Sequence, residues 1–345
     1  MRVLESQTLM FREAAEAPAV IAEQFAANAT AIAAVCARLK ARKPRAAITL
    51  ARGSSDNAAT FAKYLIETRL GILTSSAAPS ISSIYNGAKA DLKDTVLIAT
   101  SQSGQSPDIV TALGAAKAAG AFTIAFVNVM DSPLAQQADV AFALHAGAER
   151  SVAATKSYLA TVAGIAQLVA TWSDDEALTN ALKTLPALLA QAWELDWSRA
   201  VERLAKARDL YVIGRGIGFG GAQEAALKLK ETCGLHAEAF SAAEVRHGPM
   251  ALAKAGFPAL ILSQNDETRP GMHELVDALA ASGADILLAG FDDSRAINLP
   301  SLEAHPALQP ILLLQSFYRM AEQLSRARGF NPDNPPHLRK VTETV

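Results

Sequence analysis

Cysteine is scarce in this 345-residue chain: Cys36 and Cys233 stand far apart, in no metal-binding or redox spacing. That fits a reducing, cytoplasmic setting. No Lys/Arg run or basic patch stands out and the net charge is −2, which argues against nucleic acid as a partner. No long apolar stretch follows Met1-Arg2-Val3-Leu4-Glu5-Ser6, so no secretory signal is visible. Apolar runs such as Pro310 to Leu314 are too short to cross a bilayer, and no membrane partner is expected. No cluster has the spacing of a metal site, and no Gly-Lys-Ser/Thr nucleotide loop occurs, so no metal or cofactor is expected. What is present is apolar: 50% of residues are hydrophobic, enough for a sizeable core, and the length suggests two domains or one large one.

The most informative stretch is residues 97–108. The apolar run Thr95-Val96-Leu97-Ile98-Ala99 reads as a buried parallel strand and ends in Thr100, Ser101, Ser103 and Ser106, with Gly104 among them. A helical pattern follows, Ile109 through Ala119, with Pro107 in the first turn. Free N–H groups and the positive end of a helix dipole attract a dianion there, and hydroxyls donate to phosphate oxygens without adding fixed charge. The turn reads as a cradle for a monophosphate on a small molecule; the other reading is an ordinary N-capping turn.

Around this stretch strand and helix signals alternate. Residues 5–40 read as a helical arm, and Ala46–Leu50 as a strand running into Arg52-Gly53-Ser54-Ser55 and a helix from Ala58 to Thr68. Residues 71–76 and 81–85 read as weak strand or loop. Phe122–Val127 and Val140–Leu144 read as strands, and Ala153–Thr171 and Leu178–Ala192 as helical. This rhythm predicts α/β architecture, a parallel sheet with helices on both faces. The second half repeats the first: Leu210–Gly216 matches Ala47–Gly53 at an offset of 163, and Ser263-Gln264 follows Ser101-Gln102 at 162. Ala281-Ser282-Gly283 follows Ala118-Ala119-Gly120 at 163. Two copies of one α/β unit are expected.

The copies differ at the cradle. Where the first has Ser103-Gly104-Gln105-Ser106, the second has Asn265-Asp266-Glu267-Thr268, whose two carboxylates repel a phosphate. The second copy carries instead Glu224, Lys228 and Glu231 on one helix face, then His247 before Gly248-Pro249. Alone, that face reads by default as a solvated one with ordinary ion pairs; the loop after it, with His247, tips the reading towards a site. His247 in a surface turn is free to act as acid or base. Gly216-Ile217-Gly218-Phe219-Gly220-Gly221 satisfies G-x-G-x-x-G, but the acid-ended second strand of a dinucleotide site is missing, so the glycines are read as a tight turn near a ligand. Residues 331–345 read either as a frayed tail or as an extended strap that delivers Lys340 to the site.

Together Arg52-Gly53-Ser54-Ser55, Thr100-Ser101-Gln102-Ser103-Gly104, Val152–Lys156, Ala226–Glu231, His236-Ala237-Glu238, Glu244–Pro249 and Lys340-Val341-Thr342-Glu343 resemble the sugar isomerase (SIS) family, over essentially the whole chain. More narrowly they resemble the isomerase half of glucosamine-6-phosphate synthase without its glutaminase domain, and most closely the SIS-type glucosamine-6-phosphate deaminases. The resemblance implies two tandem flavodoxin-like domains and a homodimer. The chain then divides as an arm (1–34), a phosphate-binding domain (35–195), a domain with the catalytic helix and His loop (196–330) and an active-site tail (331–345). Residue by residue it implies that Ser101, Gln102, Ser103 and Ser106 bind phosphate. Ser54 and Val152 line the sugar, with Ser55 and Ala154 also in the substrate site; Ala154 stands where the synthase has a sugar-contacting serine. Glu231 moves the proton between C1 and C2, Lys228 assists, and His247 opens the ring from a neighbouring subunit. Lys340 matches the Schiff-base lysine.

The implied reaction converts glucosamine 6-phosphate to fructose 6-phosphate and ammonia. Histidine opens the pyranose, the carboxylate carries hydrogen from C2 to C1, and the resulting imine is hydrolysed. Alternatives are a galactosamine 6-phosphate deaminase, a fructosamine 6-phosphate deglycase or another aldose–ketose isomerase, and, from another class, a sugar-phosphate sensor without catalysis.

Overall fold

In the computed structural model, residues 7–85, 87 and 91–340 are described; Met1–Ser6 and the 341–345 end of the tail motif lie outside them. The apolar runs become strands. β1 (Ala46–Leu50), β2 (Leu73–Ser76), β3 (Thr95–Ser101), β4 (Phe122–Val127) and β5 (Val140–Ala143) form a parallel sheet in the order β2-β1-β3-β4-β5. β6 (Asp209–Gly214), β7 (His236–Ser241), β8 (Pro258–Leu262), β9 (Asp285–Ala289) and β10 (Ile297–Leu299) form another in the order β10-β9-β8-β6-β7, the same winding read from the other edge. The repeat seen in the sequence is therefore a repeat of topology, and both copies have the flavodoxin-type order.

The inner strands such as β4 and β8 are apolar because helices cover both faces. Every residue of β4 is buried. Leu97, Ala99 and Val127 pack on Ile109 and Leu113 of the helix Pro107–Ala118. In the second sheet Tyr211, Ile213, Ile261 and Leu288 pack on Leu275 and Leu279 of the helix Arg269–Ser282. Each Val, Leu or Ile side chain among them contributes about 1.5–3 kcal/mol by leaving water.

The chain forms two compact units. One holds residues 19–147 and 157–184 with β1–β5; the other holds residues 7–18, 148–156 and 185–340 with β6–β10. Compactness thus groups the segment 148–156 with the second sheet, where the linear division of the sequence kept it with the first.

Three local differences from the sequence reading have simple causes. Residues 80–83 form a helical turn after Pro79, a stretch too short for its apolar pattern to separate strand from helix. The expected helix 178–192 is two helices, Glu176–Leu182 and Leu185–Glu194, with Pro186 in the first turn of the latter. The arm includes the helix Ala17–Arg42, which by length and composition is long and apolar enough to span a bilayer, although no continuous apolar run is. Several of its polar groups are used inside its unit: Asn28 donates to the carbonyl of Ala143, Cys36 to that of Leu168, and Arg38 lies over the Phe122 ring.

Candidate active site

In the first unit β1 and β3 are neighbours at the point where the winding reverses, the place where open α/β sheets bind ligands. Two helices begin there, Ser54–Leu70 and Pro107–Ala118, and the Thr100 hydroxyl donates to the Ser55 carbonyl, tying the two turns together at 3.0 Å. Ser54 and Ser55 lie in the first turn of one helix; Ser106 is the N-cap of the other, and its side chain makes no capping bond. Ser101 Oγ accepts from the Gly104 N–H at 3.0 Å and Ser103 Oγ from the Gln105 N–H at 3.3 Å, which leaves both hydroxyl hydrogens to donate. Gly104 has φ +64°, and a Cβ there would lie 2.1 Å from Ser132 Oγ. Only glycine allows this tight a turn.

The sequence reading passed over one element of the cradle. Asp108 is fully buried in the first helical turn, where its charge opposes an anion. Arg52 answers it, donating through Nε at 3.0 Å and Nη2 at 2.9 Å to the same carboxylate oxygen. Arg52 thus neutralises the acid at the start of the helix Pro107–Ala118.

In the second unit the corresponding turn is already filled. Gln264 lies so close to Gly218 that a Cβ there would sit 2.3 Å from its Oε1. Its Nε2 donates to the Arg215 carbonyl, Asp266 and Thr268. Asp266 accepts the Thr268 N–H at 2.9 Å, the bond an incoming anion would take at the N-terminus of Arg269–Ser282. The G-x-G-x-x-G stretch therefore packs on the chain's own side chains.

The helix Phe219–Cys233 carries Glu224, Lys228 and Glu231 on a buried face, not a solvated one: the Lys228 side chain is 1% exposed, Glu224 0% and Glu231 20%. Lys228 Nζ donates to Glu231 Oε2 and lies 3.5 Å from Glu224 Oε1, which also accepts from the Tyr318 hydroxyl. Burial alone would lower the lysine's pKa, but the carboxylates of Glu224, Glu231 and Glu149 outweigh it and hold the ammonium above its ordinary value.

The segment 148–156 belongs to this unit and carries Val152 and Ala154. Its acid Glu149, absent from the sequence reading, is fully buried; it accepts the Thr155 N–H at 2.9 Å and the ammonium of Lys340 at 3.3 Å. Lys340 also donates to the Ser151 carbonyl at 2.7 Å. The described part of the tail is thus a strap, not a frayed end. Asp333 fastens it by accepting the N–H groups of Leu9 and Met10, each at 2.7 Å. Glu13 accepts the N–H groups of Arg150 and Ser151, and Lys156 donates to Glu16 and the Ala148 carbonyl, so the arm braces the segment from the other side. Burial pushes the Glu13 carboxyl up against the opposing pull of those backbone donors.

The structure brings together Glu231 and Lys228, and places Lys340 on the segment of Val152 and Ala154. It does not bring His247 to them: His247 is exposed in the turn after the helix Ala242–Val245, and its imidazole bonds to no group among the described residues. Among the described residues no group of three His, Cys, Asp or Glu side chains is placed to hold a metal ion.

Comparison with known proteins gives a consistent answer. Residues 40–171 and 203–325 each match the SIS domain. The glutamine–fructose-6-phosphate aminotransferase (isomerizing) of Aeropyrum pernix is 31% identical over 96% of this chain and 56% of its own length. That of Pyrococcus horikoshii is 32% identical over 96% of this chain and 57% of its own length, so the chain spans about half of these curated relatives. A crystal structure from Silicibacter pomeroyi, named there as a candidate phosphosugar isomerase, superposes with a TM-score of 0.90 at 38% identity, covering 95% of this chain and 100% of that one. A glucosamine-6-phosphate deaminase from Thermotoga maritima shares the fold, with a TM-score of 0.79 at 20% identity over 98% and 100% of the two chains. With two SIS segments in order and two five-stranded sheets of one winding, the chain belongs to the SIS domain family.

Proposed function

We propose that the chain is an amino-sugar-phosphate deaminase–isomerase that converts glucosamine 6-phosphate to fructose 6-phosphate and ammonia, working as a homodimer. The observation that carries this reading is the buried pair Lys228–Glu231: a carboxylate one-fifth exposed, beside an ammonium held charged by three acids. Such a pair suits a hydrogen shift between adjacent carbons. Glu231 takes the C2 proton of the open aldose and returns it at C1, while Lys228 stabilises negative charge growing on the sugar. Ser101, Gln102, Ser103, Ser106, Ser54 and Ser55 hold the phosphate and the neighbouring sugar atoms, and the anchored phosphate fixes where the reacting carbons lie. Val152 and Ala154 face the sugar. His247, exposed and unbonded among the described residues, opens the ring in the site of the neighbouring subunit. Lys340 attacks the C2 imine and releases ammonia.

The test is a hexosamine 6-phosphate panel with an ammonia readout, run on the full chain and on Glu231→Gln. Ammonia release from glucosamine 6-phosphate is expected. Glu231→Gln is expected to lower it by about 10²–10⁴-fold, the usual worth of a positioned base, with phosphosugar affinity within a few-fold. A variant that still exchanges sugar hydrogens with heavy water, or a wild-type chain that releases ammonia from no hexosamine phosphate, overturns the reading.

A further inference from the structure

The contact between Lys340 and Glu149 joins residues 191 apart in sequence, and nothing in the sequence reading assigns Glu149 a role. A lysine amine that attacks carbon must first lose a proton, and the acceptor must be at hand. The only acid that meets Lys340 among the described residues is Glu149; its other acceptor is the Ser151 carbonyl, which takes no proton. Glu149 is fully buried, anchored by the Thr155 N–H on one oxygen and facing Lys340 with the other. Among the described residues the charged groups near it include Lys340, Lys228 on the helix Phe219–Cys233, and Glu13 on the helix Leu9–Ala15. Burial makes a charged carboxylate costly, so a site from which water is shut out lowers the barrier for it to take a proton.

We propose that Glu149 is the proton carrier of Lys340: it takes the ammonium proton to free the amine and returns it to the water that leaves when the imine forms. This rests on the proposed reading of Lys340 as the amine that acts on the sugar. The step balances. The Lys340 ammonium gives one proton to Glu149 Oε2, and the freed pair bonds to C2 of the ketose. The C2–O bond takes up a proton from the nitrogen, then breaks as Glu149 supplies a second. Water departs, Nζ is left as a protonated imine carrying one positive charge, and Glu149 is again a carboxylate. In the deamination direction ammonia leaves in place of water.

The experiment traps that imine. The full chain is mixed with fructose 6-phosphate and borohydride and the covalent product is followed by intact mass, while sugar hydrogen exchange is followed in heavy water. Glu149→Gln keeps one oxygen for the Thr155 N–H, turns an amide NH2 towards Lys340 and accepts no proton. Trapping is expected to slow at least tenfold with exchange through Glu231 within about threefold, and Glu149→Asp is expected to recover most of the trapping. Trapping by Glu149→Gln at the wild-type rate, or equal loss of trapping and exchange, overturns the proposal. Should Glu149→Gln fail to fold, Glu149→Ala with added formate serves: formate restoring the trapping rate supports the carrier, and no restoration overturns it. A wild-type chain that exchanges hydrogen and releases ammonia but traps nothing refutes the proposal and leaves the function standing. One that does none of these refutes the function itself.

Discussion

Replacing Lys228 by methionine isolates the energetics of the buried ion cluster. The substitution keeps the length of the side chain and removes its charge. Glu224, 0% exposed, loses its counter-ion and keeps the Tyr318 hydroxyl; Glu231, 20% exposed, regains some solvent. Breaking a buried pair by removing one partner costs about 3–5 kcal/mol, and the remaining hydroxyl and partial solvation put this case near 3. For a unit of this size that is a fall of roughly 6–12 °C in melting temperature. The check is a urea titration of wild type, Lys228→Met and the double variant Glu224→Gln/Lys228→Met. The double variant removes the stranded charge and is expected to regain at least half of the loss, because a neutral buried pair has no ion to desolvate. If Lys228→Met loses less than about 1 kcal/mol, or if the double variant is no more stable than the single, these charges are not buried as described.

Three further outcomes follow from geometry and burial. Gly104→Ala forces a side chain onto φ +64° and against Ser132, so inorganic phosphate and phosphosugar binding, read by calorimetry, should be lost at the cost of about 1–3 kcal/mol of stability; retained binding would place the anion elsewhere. Burial pushes the thiols of Cys36 and Cys233 up to about 12 and about 11, so neither should react with a thiol reagent at pH 8 until urea is added. From about pH 9 the unfolded chain gives up thiol protons that the native chain keeps, so the unfolding free energy, and with it the urea midpoint, should fall as pH rises, the free energy by at most about 2.7 kcal/mol per pH unit for two protons. Lys228, also raised, adds in the same direction above its unfolded value near 10.4. A midpoint that stays level between pH 9 and 11 contradicts both shifts.

How much of this the sequence revealed depended on the distance between partners. The strand, turn and helix of residues 95–118 were legible because their parts are adjacent in the chain: an apolar strand, hydroxyls, Gly104, then Pro107 opening a helix. The duplication was legible because residues recur at a fixed offset. The helix face of Glu224, Lys228 and Glu231 was visible from spacing, but not its burial, which depends on Tyr318 and its helix Gln309–Ala327, 94 residues from Glu224. Glu149 was invisible because an acid in a loop says nothing until Lys340 arrives from 191 residues away. The bracing by Glu13 and Lys156 was hidden for the same reason: Glu13 meets Arg150 across 137 residues. Asp108 and Arg52 lie 56 apart, and a first-turn aspartate reads as a routine dipole partner until its burial is known.

The plugged turn of the second sheet has a consequence for how many anions the protein counts. Gln264 and Asp266 are tethered where a phosphate would dock, and a covalently attached occupant competes at an effective concentration in the millimolar range or above. Phosphate well below that concentration does not displace it. The duplicated fold should therefore show a binding stoichiometry of one per chain and a simple hyperbolic isotherm for its internal pair of turns, with the twin seat retired rather than merely weaker.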